Sequence, residues 1–266
     1  MTAAPSDRFR DGPSVVAVGG GHGQAASLRA IKRYAGNVTA IVSVADDGGS
    51  SGRLRELLGI PAPGDVRTCL GALLPDGSAI AKALEHRFAV GELDGHALGN
   101  LIITALAEAE GDFVAGVAEA CRVLGTVGQV IPATSGAVEL VASTRAGQVR
   151  GQVAVKEGGG IDRLEVVAVG GPEALEPPPA ALKAILESDQ IVIGPGSLYT
   201  SVLAACVVPA VREAIEEAGR RGAQRVYVAN LREQHPETTG YDIAAHVQAL
   251  TDHGVEPDVV LADTTF

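Results

Sequence analysis

Short apolar runs that stop at glycine recur along this chain, and stretches with helical spacing lie between them. Residues 14–18, SVVAV, run without a polar break into Gly19-Gly20-Gly21. Such a run reads as a strand buried on both faces that feeds a glycine turn. Residues 24–34 place Ala25, Leu28 and Ile31 near helical spacing and predict a helix. VTAIVSV, 38–44, reads as a second buried strand. Strand, loop, helix, strand is the opening of a parallel α/β sheet.

From 52 to 125 the pattern is mainly helical, clearest in ALGNLIITALAEAE (97–110) and FVAGVAEACRVLG (113–125). Residues 137–169 change character. AVELVASTRAGQVRGQVAV (137–155) reads as two β segments around a turn at Ala146-Gly147, and DRLEVVAV follows. This is either a hairpin added to the sheet or a small β lobe. EPPPAALKAILESD (176–189) starts a helix with prolines in or before the first turn, where they are tolerated. QIVIGPGS (190–197) is a strand ending in a second glycine turn. A helix near 209–220, a strand RVYVAN, a helix near 241–252 and a strand DVVLA close the chain. The pattern predicts one domain over 14–266, and the polar residues 1–13 read as a flexible arm.

Composition narrows the ligand more than the fold. Aromatics are 3% and Trp is absent, so the core must be aliphatic. The formal net charge of −11 argues against nucleic-acid or acidic-membrane binding. An anionic ligand must then be held locally, by backbone N–H groups and a few cations. Cys69, Cys121 and Cys206 show no C-x-x-C spacing and read as reduced thiols, mostly buried. No apolar run approaches the ~18 residues of a spanning helix. Residues 1–13 lack the apolar centre of a signal peptide. A cytoplasmic protein with no membrane insertion is the expectation.

Open parallel sheets bind ligands at the carboxyl ends of their strands. Four unusual stretches fall there: GGGHGQ (19–24), ADDGGSSGR (45–53), GPGSLYTS (194–201) and NLREQHPETTG (230–240). The first can offer amides and a helix N-terminus to a phosphate. It fails the G-x-G-x-x-G fingerprint because Gln24 stands at the third glycine, and it fails the P-loop pattern. NAD and ATP are therefore not indicated. His22 could bond a phosphate or base, or be a solvated loop residue. Asp46 and Asp47 suit ribose hydroxyls or Mg²⁺, which takes one or two carboxylates plus phosphate oxygens. They could equally cap a helix beginning near Gly52. Arg53 and Arg67 could pair with these acids or with phosphates, or form a structural salt bridge. His96 and Asn100 share a face if their helix begins early enough. No H-E-x-x-H motif and no assignable Ser–His–Asp set is present.

AVGGGHGQAASLRAIK, TAIVSVADDGGSSGRLRELLGIPAPGDVRTCL, GHALGNLIITAL, GQVIPATSGAVEL, IVIGPGSLYTSVL and GYDIAAHVQAL together resemble the YvcK-type gluconeogenesis factors. That family shares a superfamily with the 2-phospho-L-lactate transferases of coenzyme F420 biosynthesis. The likeness runs from Val15 onward. It implies a Rossmann-like three-layer α/β sandwich with a mostly parallel sheet. It also implies a cytoplasmic factor required for growth and cell shape on gluconeogenic carbon sources, which binds a UDP-sugar, UDP-N-acetylglucosamine in particular. No catalytic residue is implied. By motif position the ligand role falls on Gly20, Gly21, His22, Gly23, Asp46, Asp47, Gly194, Gly196, Ser197, Leu198 and Tyr199. Gly48, Gly49, Arg53, Arg67, His96, Asn100 and Asn230 follow. Two departures stand out: many relatives carry Thr at the position of His22, and relatives usually continue past the position of Phe266. A homo-oligomer is expected. The alternative function is a Mg²⁺-dependent transferase acting on a nucleotide-linked phosphate ester.

Overall fold

The computed structural model describes residues 11–263. Most of the N-terminal arm and the last three residues, Phe266 among them, lie outside the described residues. The chain begins β1 (Ser14–Gly19), α1 (Gly21–Ile31), β2 (Asn37–Val42), α2 (Gly49–Leu58), α3 (Gly64–Leu73), α4 (Ala79–Glu85), α5 (Leu98–Glu110), α6 (Phe113–Leu124) and β3 (Gln129–Pro132). An inserted unit follows: β4 (Val138–Thr144), β5 (Gly147–Arg150), α7 (Gln152–Gly158) and β6 (Ile161–Ala168). The chain then returns through α8 (Pro179–Leu186) and β7 (Gln190–Ile193). A π-helical turn, Leu198–Leu203, runs into α9 (Ala204–Cys206). Next come α10 (Pro209–Arg220), β8 (Gln224–Val228), α11 (Ile243–Asp252) and β9 (Val259–Leu261).

Six strands form one sheet in the order β3-β2-β1-β7-β8-β9, every pair parallel. Val15 to Gly19 and Val38 to Val42 are buried, as parallel strands covered by helices on both faces must be. The aliphatic core follows, with Leu28, Ile41, Leu70, Ile103 and Ile191 excluded from solvent. The inserted strands form a separate antiparallel sheet, β5-β4-β6, which makes the insertion a small β lobe.

The sheet order reverses between β1 and β7. The chain steps outward through β2 to β3, then re-enters beside β1 and steps the other way. Loops leaving β1 and β7 therefore diverge and open a crevice at their carboxyl ends.

Three expectations need correction. α1 starts at Gly21, three residues early, because Gly21 takes φ +64° and turns the chain directly into the helix. α2 starts at Gly49, not near Gly52, and neither aspartate is its N-cap; Gly48 is, without a side-chain cap. Residues 152–158 are helical rather than β. Gly151 at φ +90° breaks the strand, and Asp47 accepts the next two amides. The strand β3 was not legible, since four residues ending in proline carry little periodicity; as an edge strand it tolerates Pro132.

The cysteines are free; burial pushes the Cys206 thiol up to about 12. Among the described residues no single helix is long and apolar enough to cross a membrane.

His253 ties the end of α11 to the β lobe. Its Nε2 accepts the Leu164 N–H at 2.9 Å, and Nδ1 donates to the Ala249 carbonyl at 2.6 Å. Only the neutral ring can do both. Desolvation holds its pKa below the ordinary 6.5. A depressed folded pKa means stability present above about pH 6.5 and lost as pH falls through the folded value. The melting temperature is expected to drop between pH 6.5 and 5, and His253→Gln should flatten that drop; equal slopes would exclude His253 as its source.

Candidate functional site

The loops after β1, β2, β7 and β8 meet over the switch point and enclose a cleft of about 1000 Å³. The lobe helix α7 adds Gln152 and Lys156 to its wall. The four stretches picked out at the strand ends thus share one site.

The first wall is the start of α1. Its N-cap, Gly20, is extended and has no side-chain cap, and no acidic residue stands in the first turn of the helix. Those amides carry the positive end of the helix dipole. Gly23 allows the two glycine loops to touch. A Cβ there would lie 2.6 Å from the Pro195 carbonyl carbon and 2.8 Å from Gly196 Cα. Gln24, which breaks the dinucleotide fingerprint, is buried. Its Nε2 donates to Ala17 O at 2.9 Å and Ile41 O at 3.0 Å, bridging β1 and β2.

The second wall is the turn after β7. Gly194 and Gly196 take φ +76° and +154°. Asn230 clamps Gly196 from both sides: Gly196 N–H donates to Oδ1 at 3.1 Å, and Nδ2 donates to Gly196 O at 2.7 Å. Buried Glu237 accepts the Tyr199 amide at 2.9 Å and the Thr200 amide at 2.8 Å. The β8 loop therefore holds the β7 loop in shape, and Ser197, Thr200 and Ser201 face the cleft.

Two carboxylates stand on the floor, Asp46 and Asp65. Asp46 Oδ1 accepts the Gly48 amide at 3.0 Å. Asp65 sits in the first turn of α3, hydrogen-bonded by the Gly21 amide. Desolvation, then repulsion from Asp46, raises its pKa to about 7. The pair suits a divalent cation, which prefers one or two carboxylates with phosphate oxygens and water. Among the described residues no group of three His, Cys, Asp or Glu could hold a metal ion by itself. A cation here would thus need ligand oxygens.

Of the residues expected to bind, Gly20, Gly21, His22, Gly23, Asp46, Gly196, Ser197 and Asn230 line the cleft. The others stand behind it. Gly48 and Gly49 open α2, and Gly194 sets the β7 turn. Leu198 and Tyr199 are buried, and the Tyr199 hydroxyl bonds Tyr241 at 2.9 Å. Asp47 faces α7 and takes Gln152 N at 2.8 Å and Val153 N at 3.0 Å. Neither arginine pairs with the aspartates. Arg53 donates to Asp94 O at 2.6 Å, and Arg67 pairs with Glu85. His96 precedes α5 instead of lying on it. It still meets Asn100, because both bond Ser50 Oγ, at 3.1 and 3.0 Å. Sequence reasoning missed Asp65, Gln152, Lys156 and Arg232. The only available signal for Asp65 was an acid at the start of the helical GDVRTCL run, two residues before Arg67.

Residues 15–265 match the family described as 2-phospho-L-lactate transferase CofD. A gluconeogenesis factor of Bacillus subtilis is 43% identical over 243 residues, covering 91% of this chain and 75% of that protein. One from Halalkalibacterium halodurans is 42% identical over 254 residues, covering 93% and 77%. A Nostoc sp. relative is 43% identical over 249 residues, but this chain spans only 52% of its length. The crystal structure of a UPF0052 family member from Bacillus halodurans superposes with a TM-score of 0.87 at 40% identity, over 96% of this chain and 82% of that one. The chain belongs to the gluconeogenesis-factor family, within the wider 2-phospho-L-lactate transferase CofD family.

Proposed function

We propose that this protein binds a nucleotide-linked sugar, UDP-N-acetylglucosamine in particular, and acts as a cytoplasmic factor for growth and cell shape on gluconeogenic carbon. The observation that carries the reading is the contact of two glycine loops at the switch point, with the amides of α1's first turn, other than the Gly21 amide that Asp65 accepts, at the wall of the cleft. Such amides favour phosphate, and the missing dinucleotide fingerprint disfavours NAD. The site is also long enough for more than a phosphate, running from the α1 start to Gln234. The gluconeogenesis-factor names of the relatives support a role in carbon metabolism.

The Asp46–Asp65 pair favours a second reading. Two carboxylates beside a phosphate site could hold Mg²⁺, as a transferase on a nucleotide-linked phosphate ester would need. Thermal-shift measurements with UDP-N-acetylglucosamine, NAD and GTP, each with and without Mg²⁺, separate the readings. UDP-N-acetylglucosamine at ~100 times its dissociation constant should stabilise by about 2.7 kcal/mol, and NAD should not. A shift with NAD alone would overturn the proposal. Turnover of a bound nucleotide ester that stops when EDTA is added would favour the transferase.

A further inference from the structure

We infer that Lys156 is the cation that meets the diphosphate of the bound ligand, and that Asp47 is the positioning residue that aims it. The inference rests on the nucleotide-sugar reading of the cleft. The floor and rim carry Asp46, Asp65 and Glu233, in a chain of net charge −11. A diphosphate therefore needs a local cation. Lys156 and Arg232 line the cleft, and among the described residues neither side chain has an ion-pair partner.

Their supports differ. Arg232 is exposed on the long loop after β8. Lys156 is on α7, which is held at three points. Asp47 spends both carboxylate oxygens on the amides of Gln152 and Val153. The Gln152 side chain donates to Thr200 O at 2.9 Å, tying α7 to the second glycine loop. Gly159, just past the helix, lies so close to Pro236 that a Cβ would fall 3.2 Å from its carbonyl carbon. Gln152 and Lys156 are four apart, so they share a helix face, and both line the cleft. A cation on a helix fixed at both ends is aimed more sharply than one on a loop.

The close approach of Asp47 is built into the backbone. Gly151 takes φ +90°, and a Cβ there would stand 2.5 Å from Asp47 Oδ2. The adjacent aspartates thus divide their work: Asp46 faces the ligand and Asp47 holds the helix that carries the lysine.

The test is titration calorimetry with UDP-N-acetylglucosamine and with uridine, which lacks the diphosphate. Lys156→Met should weaken the UDP-sugar at least tenfold and uridine less than twofold, and Lys156→Arg should recover most of the loss. Lys156 is exposed, so the melting temperature should not move. Asp47→Asn should cost several-fold in the wild-type background and under twofold beside Lys156→Met, since residues acting through one another are not additive. An unchanged UDP-sugar affinity in Lys156→Met, or equal losses for both ligands, would overturn the lysine's role. Additive losses would overturn the positioning role of Asp47. A wild type that binds neither ligand would sink the nucleotide-sugar reading itself and this inference with it.

Discussion

Asp65→Asn is expected to make the protein more stable at pH 8 and to abolish Mg²⁺-dependent ligand binding. The Asp65 side chain is half-buried in the cleft wall, within reach of the Asp46 charge. Its pKa stands at about 7, against an ordinary 3.8. A raised folded pKa means that the folded protein holds the proton more tightly. The associated stability is present below about pH 3.8 and is lost as pH rises through about 7. A displacement of that size corresponds to about 4 kcal/mol at most. Cleft water screens the charge, so the expected gain in the variant at pH 8 is about 1–3 kcal/mol. Asn retains an acceptor for the Gly21 amide and removes the charge. Binding that depends on the paired carboxylates should fall at least a hundredfold. The gain should shrink toward pH 4, as read from urea unfolding across the pH series. A variant less stable at pH 8, or one that binds normally, would show that the carboxylate is a structural acceptor.

Gly23→Ala should cost stability and disrupt the site while the fold is kept. The backbone at Gly23 is not in the left-handed region, so the demand for glycine comes from proximity alone. An added methyl meets the backbone of Pro195 and Gly196, which cannot rotate aside. Overpacking of this kind costs about 1–3 kcal/mol. The two loops must part, and the phosphate cradle with them, so UDP-sugar affinity should fall below detection while far-ultraviolet circular dichroism stays native. Gly49→Ala is the control: it is strained by φ +48° but meets nothing within 4 Å. It should cost stability with affinity nearly kept. Equal binding by Gly23→Ala and wild type would show that the loops' contact is incidental.

The parallel sheet was legible because its central strands are buried on both faces, and two of them, SVVAV and QIVI, run into glycine. The meeting of four loops was legible for the same reason: strand ends in a parallel sheet point one way. The distribution of work within a loop was not. Asp46 and Asp47 look equivalent in sequence, yet a neighbouring residue turns to the opposite side of the backbone. One faces the cleft and the other a helix about a hundred residues away. Lys156 was invisible because GQVRGQVAV continues a β pattern. Only Gly151's positive φ and a distant carboxylate convert it to helix. For Arg53 and Arg67 charge alone could not choose between a phosphate, the adjacent aspartates and a structural salt bridge. Their partners in the fold, Asp94 O and Glu85, follow from helix packing that no local pattern encodes.

The most direct measurement is a crystal structure with UDP-N-acetylglucosamine. The diphosphate should lie between Gly20–Gly23 and Pro195–Ser201, its oxygens at about 2.7–3.2 Å from loop amides, with Lys156 within reach. A second cleft, of about 720 Å³, lies at Pro177, Leu182, Lys183 and Arg221, on α8 and away from the glycine loops. Ligand found there, with the switch-point cleft holding only water, would show that the glycine loops are not the nucleotide-sugar site.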